Sequence, residues 1–541
     1  MFFLRITDTD GSRVLIPDKA VISVKTAYDQ PVASTQYSNS GVYRGPITRV
    51  KYMSGGVIFE EYVDVYDGSN KLYEYGMVMV DESYSDVLSN KVSFGYVRTI
   101  ASILSKYSGS HHWDFGVSSD KVAAGASMTP SQFAAAYPAH ALFQDTAGTT
   151  PAYQITHPVA LCKDAVGTAH ASQSTSTKRP VLSARVNLLV ATEDFSNAAW
   201  ALSTASISAN SASSPVGTLT ADKVSASSFG NSRGVYASVT ALATRYKTSV
   251  YAKSAESSRL CIYSEAGTAA GVAWFNLASG TVGTVASGYT ATIASCGSGW
   301  FQCTVESLFT AGTRYAFFGP VDADNSVYST ASTGIYLWGA DIRPANSPTN
   351  LPAYQRVTTS TDYDLTGFPL RAVWDGVDDC LVVPTLDLSI TDKVTVVAGV
   401  TKLADASTQV LFELSTDSSL TAGSVGFTTA ANGYRFRTGG STPTSFTISS
   451  LPPPAFNVAT LTSSISADSA VLNVNGTTVT SALDQGTGNF RSDAFYIGQR
   501  AGTSLPFSGA IQSITLIPAL ITASETAVIE SSVNNSMGRV Y

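Results

Sequence analysis

Three carboxylates crowd into five residues at Asp375, Asp378 and Asp379, around Gly376. Calcium gathers several hard oxygen ligands at one place, and backbone carbonyls at a glycine turn can complete its shell. The same string also reads as a plain turn whose Asp side chains cap nearby N–H groups. Aromatic rings offer a second chemistry. Sugar binding needs a flat aromatic platform beside planar polar groups at the rim of a rigid sheet; Trp200, Trp274, Trp300 and Trp338 in the middle of the chain, with Trp374, Tyr434 and Tyr496 after them, are the rings weighed for it. Glycan hydrolysis would need two carboxylates at a set separation, one with a raised pKa, and nothing in the sequence pairs them. No HExxH or Walker string occurs. His111-His112-Trp113-Asp114 can be drawn as a metal or acid–base cluster, but neighbouring side chains diverge on a strand, so a polar loop is expected. All five histidines precede residue 171, which leaves no imidazole to the rest of the chain. The expectation is a protein that is not an enzyme.

These groups must be carried on β-structure. A chain of 541 residues is too long for one ordinary domain and points to several. The net charge of −7 argues against nucleic acid or an anionic membrane as partner. The longest apolar runs are far short of a bilayer span, so no membrane insertion is expected. Residues 1–110 hold 23 charged side chains and the remaining 431 residues hold 50, which marks a compositional boundary. The five cysteines (Cys162, Cys261, Cys296, Cys303, Cys380) are odd in number and lack CxxC spacing, so free thiols are expected, although Cys296 and Cys303 could meet across a hairpin. The N-terminus MFFLRITDTDG has no apolar export segment and no small-residue cleavage site. Hydroxyl-rich, lysine-poor β sequence is typical of proteins exposed outside cells, and without an export signal release by lysis is the expected route, with a cytosolic β protein or one secreted by a non-Sec route as the alternatives.

Period-2 alternation at 21–24 and 57–65, with turns at Ser54-Gly55-Gly56 and Asp67-Gly68-Ser69-Asn70, predicts a small β domain over 1–110, closed by a helix within 97–107. Thr129-Pro130 predicts the start of a short helix. Short apolar segments punctuated by Gly, Ser and Thr predict a β-sandwich over 187–345, and the style repeats over 367–519. Asn475-Gly476 is the strongest hairpin signal in the chain, because both residues tolerate positive φ. Thr522-Ala523-Ser524-Glu525 fits a capping box before a C-terminal helix of about three turns.

Several strings then match a known family. The segment 141–182 (ALFQDTAGTTPAYQITHPVALCKDAVGTAHASQSTSTKRPVL) resembles the lead-in to a laminin-G-like, concanavalin-type jelly roll of tailed-phage tail proteins. DGVDD at 375–379, YIG at 496–498, FSGAI at 507–511 and the capped helix resemble the rest of that domain. Between them NLLVATEDFSNAAW (187–200), SVYAK (249–253), GWFQCTV (299–305) and YLWGAD (336–341) resemble a carbohydrate-binding-module-like jelly roll. The resemblance implies an all-β, multidomain chain: a small N-terminal β attachment domain (1–110), a connector and lead-in (111–186), an inserted jelly roll (187–357), and a concanavalin A/laminin G-like sandwich with a short C-terminal helix (358–541). Trp200, Trp300 and Trp338 fall inside the motif strings and are expected in the core; Trp374 and Tyr434 are the candidate carbohydrate-binding residues. Related jelly rolls hold a structural calcium between their first and last strands, which by resemblance falls on Glu193, Asp194 and Asp341, beside the Asp375, Asp378 and Asp379 candidate. The implied function is a virion tail adhesin for host surface glycan, docked to other tail proteins through 1–110 and presented as a homotrimer or higher oligomer for avidity. A purely structural tail, collar or capsid-decorating part, a surface-polysaccharide hydrolase and a bacterial surface lectin are the alternatives.

Overall fold

The computed structural model describes residues 100–265, 272–348, 351–405 and 407–538, with the backbone of short strands before residue 100. Two compact units are distinguished: residues 1–106 with 522–529, and residues 107–521 with 530–541. In the first, strand Arg49–Ser54 pairs with Val57–Tyr62 and Gly76–Met79 with Ser93–Tyr96, followed by helix Ile100–Leu104. The alternating run at 21–24 lies outside the described residues. The second unit is built of antiparallel sheets stacked as two sandwiches, so the all-β class is what the chain adopts.

The first sandwich is discontinuous in sequence. Its strands alternate apolar and polar residues, and the apolar sets of two nine-stranded sheets meet in one core that includes Trp113, Phe115, Trp374, Phe427 and Phe495. Residues 111–183 supply strands to both sheets. His111–Asp114 pairs with Ser508–Ile517 and Val181–Ser183 with Leu370–Asp375 in one. In the other, Leu142–Phe143, Leu161–Cys162 and Ala171–Ser172 lead on to Leu381–Asp387. The His-His string is therefore a paired strand and not a loop. His111 Nδ1 is 2.7 Å from Asp164 Oδ2 and His112 Nδ1 is 2.9 Å from Thr515 Oγ1, so the two rings diverge to separate anchors. Burial lowers the His112 pKa.

Local signals set the element ends. Thr129 and Gln132 form a reciprocal capping box on helix Pro130–Ala136. Asn475 and Gly476 take φ of 50° and 84° in a two-residue turn joining Ser469–Val474 to Thr477–Ser481. Thr522 and Glu525 cap helix Ala523–Ser536, each backbone N–H donating to the other's side chain at 3.1 and 3.2 Å. Further along, Val533 and Met537 lie over Gly399 so closely that a Cβ there would sit 3.0 Å from Met537 Sδ. Among the described residues, no helix is long and apolar enough to cross a membrane.

The second sandwich, two six-stranded sheets, is threaded between the halves of the first. The sandwich expected over 187–345 is present, and the motif string SVYAK at 249–253 sits inside strand Arg245–Ser254. Its core holds Phe195, Trp200, Val250, Phe275, Cys303 and Ile342. The five cysteines are free; Cys303 pairs across the sheet with Ile293, and Cys296 is exposed. The chain enters and leaves this module at one place. Asn187 and Gln355, both 0 % exposed, stitch the crossing strands together. Asn187 Nδ2 donates to the carbonyls of Ala340 and Gln355, both at 2.9 Å, while its Oδ1 accepts from Leu189 and Ile342. Gln355 does the same for Val186, Asn187, Ala184 and Asp364.

Candidate functional site

The inserted module presents a polar groove on the outer face of one sheet. Its register builds the groove from residues far apart in sequence. Thr290, Glu306, Lys247 and Arg343 stand in one cross-strand row. Thr292, Thr304, Ser249 and Asp341 form the next. Alternation sends residues between them, such as Val305 and Ile342, into the core. On strand Gly334–Pro344 that phase depends on a bulge. Ile335 and Leu337 face the core before it, Ala340 and Ile342 after it. The extra residue between the Tyr251 and Ser249 pairings re-aims the strand, and Gly339 takes φ of 63° there. Without it Asp341 and Arg343 would point inward.

The groove encloses about 520 Å³ and is walled on its far side by the returning chain, including Pro344, Pro348 and Pro352. Arg343 closes the floor. Its Nε donates to Asp341 Oδ1 at 2.8 Å, its Nη2 meets Asp341 Oδ2, and its Nη1 donates to Pro352 O at 2.8 Å. Asp341 Oδ2 also accepts from the Gln355 backbone N–H at 3.0 Å. Burial raises the Asp341 pKa, with Arg343 pulling against it. Glu306 lies 3.6 Å from Arg245. Ser249, Thr290, Thr292 and Thr304 supply hydroxyls, and Gln302 an amide.

The candidate calcium ligands at the module's ends do not converge. The first and last segments are adjacent, since Ala340 N donates to Thr192 O at 2.9 Å, but each carboxylate is taken up by partners of its own. Both oxygens of Asp341 are engaged by Arg343 and backbone. Glu193 accepts from Tyr354 OH at 3.1 Å, and Asp194 caps the N–H and hydroxyl of Ser196. Arg343 is the positive charge beside Asp341.

Asp375, Asp378 and Asp379 do come together, with one carboxylate oxygen of each within 4.8 Å of the others. Turn bonds hold two of them. Asp375 Oδ1 accepts from Val377 N at 2.7 Å, Asp379 Oδ2 accepts from Asp375 N at 3.0 Å, and Gly376 takes φ of 79°. Burial, reinforced by the charges of Asp375 and Asp378, pushes the Asp379 carboxyl up to about 6 against the Asp375 N–H bond.

Neither expected stacking residue is on the surface. Trp374 is 1 % exposed, edge-on to Phe115 with ring centroids 5.5 Å apart, and packed against Gly498. Tyr434 is 0 % exposed, stacked on Phe427 at 5.0 Å, with its hydroxyl accepting from Asn457 Nδ2 at 2.6 Å. Tyr434 shares the inward phase of Gly433–Thr438 with Phe436, whereas Arg435 and Arg437 face outward. Sequence reasoning also missed the groove. Its one local signal was the glycine of YLWGAD, which interrupts a strand pattern at position 339.

No protein-family profile and no curated protein matches the chain. It is similar to the carbohydrate-binding module CBM40 of the Ruminococcus gnavus IT-sialidase bound to α2,3-sialyllactose (17 % identity, 26 % of this chain, 83 % of that chain, TM-score 0.22). It is similar to domains LG4-5 of the mouse laminin α1 chain (13 % identity, 53 % and 88 % covered, TM-score 0.23). A third similarity is to the binding domain of botulinum neurotoxin serotype D (11 % identity, 29 % and 41 % covered, TM-score 0.25). At these scores the likenesses carry no argument about ligand or activity.

Proposed function

We propose that this chain binds host-surface glycan as an adhesin of a tailed-phage virion, through the groove on the inserted sandwich. The groove carries the reading. It has the size of a ligand pocket, roughly 300–1,000 Å³, but its sheet face is hydroxyl, amide and ion pair in place of the usual apolar lining. Such a surface rewards a ligand that exchanges many hydrogen bonds at once, as a run of sugar hydroxyls does. The rigid cross-strand rows hold the donors and acceptors in place before the ligand arrives. Asp341 and Glu306, the carboxylates on this face, are both set against arginines, which supports binding over hydrolysis. The phage context rests on the order of the motif strings. In that context residues 1–110 dock to other tail proteins, several copies provide avidity, and the protein leaves the cell by lysis.

Purified full-length protein added to intact host cells tests this reading. Saturable binding competed by extracted surface polysaccharide, with no new reducing ends released, is the expected result. No binding by folded protein moves the chain to a purely structural virion part, and release of reducing ends makes it a hydrolase.

A further inference from the structure

Phe229 and Tyr328 are 65 % and 50 % exposed, yet their rings are stacked, 5.7 Å apart between centroids and 16° from parallel. Among the described residues no other stacked aromatic pair leaves both rings at least half exposed. Packing therefore contributes little to keeping them there. The backbone beneath is nonetheless fixed. Phe229 precedes, and Tyr328 belongs to, a two-stranded ribbon in which Gly230 faces Ser329 and Asn231 faces Tyr328. The ribbon is anchored by buried Ser329, whose hydroxyl donates to Pro320 O. Asp322 ties it from the side, its N–H donating to Tyr328 O at 2.9 Å and its carboxylate accepting from the N–H and hydroxyl of Thr330. Arg233 Nη2 donates to Phe229 O at 3.2 Å.

We infer that this pair is a second glycan subsite, a stacking platform for the C–H face of one pyranose ring. The inference rests on the glycan-binding reading above. An apolar protein or lipid partner would have to desolvate Asn231, Arg233, Asp322 and Thr330 around the rings. A sugar has the matching make-up: an apolar face for the rings and hydroxyl edges for the polar rim. A platform away from the groove lets one long polysaccharide, or two strands of it, engage the module twice.

The test measures affinity of the full chain for extracted host polysaccharide, in wild type, Phe229→Ala, Tyr328→Ala and the groove variant Lys247→Ala. Each exposed ring is expected to be worth roughly three- to tenfold in affinity, with melting temperature unchanged. Loss of binding in Lys247→Ala with wild-type affinity in both ring variants overturns the platform and leaves the groove standing. No wild-type binding overturns both. Sedimentation of the same samples supplies a separate readout: a change of oligomeric state in the ring variants makes the pair an interface between copies and overturns the sugar assignment.

Discussion

Asn187→Ala should loosen the groove without touching a side chain that lines it. The Asn187 amide makes four hydrogen bonds to backbone groups, and two of its partners, Ala340 and Ile342, bracket Asp341 on the groove floor. Alanine leaves two buried N–H donors and two carbonyls behind. An unsatisfied buried group costs about 1–3 kcal/mol, and carbonyls with a second partner cost least, so about 3–5 kcal/mol is expected in all. The chain is multidomain, so the loss is to be read from the transition of the inserted module and not from a global midpoint. Four of the six tryptophans, Trp200, Trp274, Trp300 and Trp338, lie in that module, so urea unfolding followed by tryptophan fluorescence reports it. The module's transition should move to lower urea while the first sandwich keeps its own. A loss under about 1 kcal/mol would refute the reasoning, because it would mean the stranded groups find other partners at no cost.

Three further outcomes are expected. Gly498→Ala combines a positive φ of 91° with a Cβ that collides with the Trp374 indole, and should cost at least about 2 kcal/mol in chemical denaturation; a neutral result would show that the indole can move aside. Asp379 holds its proton in the fold up to about 6 but releases it near 4 when unfolded, so stability should fall as pH rises from 4 to 6 and stay lower above. Asp379→Asn keeps an acceptor for Asp375 N and should flatten that slope, and a chelator that lowers the melting temperature of the wild type but not of Asp379→Asn would establish a cation at Asp375, Asp378 and Asp379. Tyr434→Phe removes a buried hydrogen bond to Asn457 and should cost about 1–2 kcal/mol while leaving glycan binding intact; weakened binding at unchanged stability would put Tyr434 back in the site.

Local features were the legible part of this molecule. Asn475-Gly476 makes its turn and Thr129 and Thr522 cap their helices because each depends on residues within one turn of chain. Strand positions in the inserted module follow from apolar spacing for the same reason. The site was not legible, because it is assembled across strands. Lys247, Thr290, Glu306 and Arg343 become neighbours only through register, and the outward aim of Arg343 depends on one bulge at Gly339. The misassignment of Trp374 has the same origin, since its burial is decided by Phe115 and Gly498, both more than 100 residues away. Tyr434 was different: Gly-Tyr-Arg-Phe-Arg-Thr at 433–438 alternates openly, and its phase alone places Tyr434 with Phe436 inside.

If the sheet-face groove holds glycan, filling the groove abolishes binding there. Thr292 is an exposed residue at its edge, so Thr292→Trp fills the groove with little effect on the core. Isothermal titration of extracted host polysaccharide into wild-type and Thr292→Trp protein of equal melting temperature makes the comparison. Saturable heat is expected for wild type and at least a tenfold weaker interaction for the variant. Equal affinity in the two would contradict glycan binding in the groove.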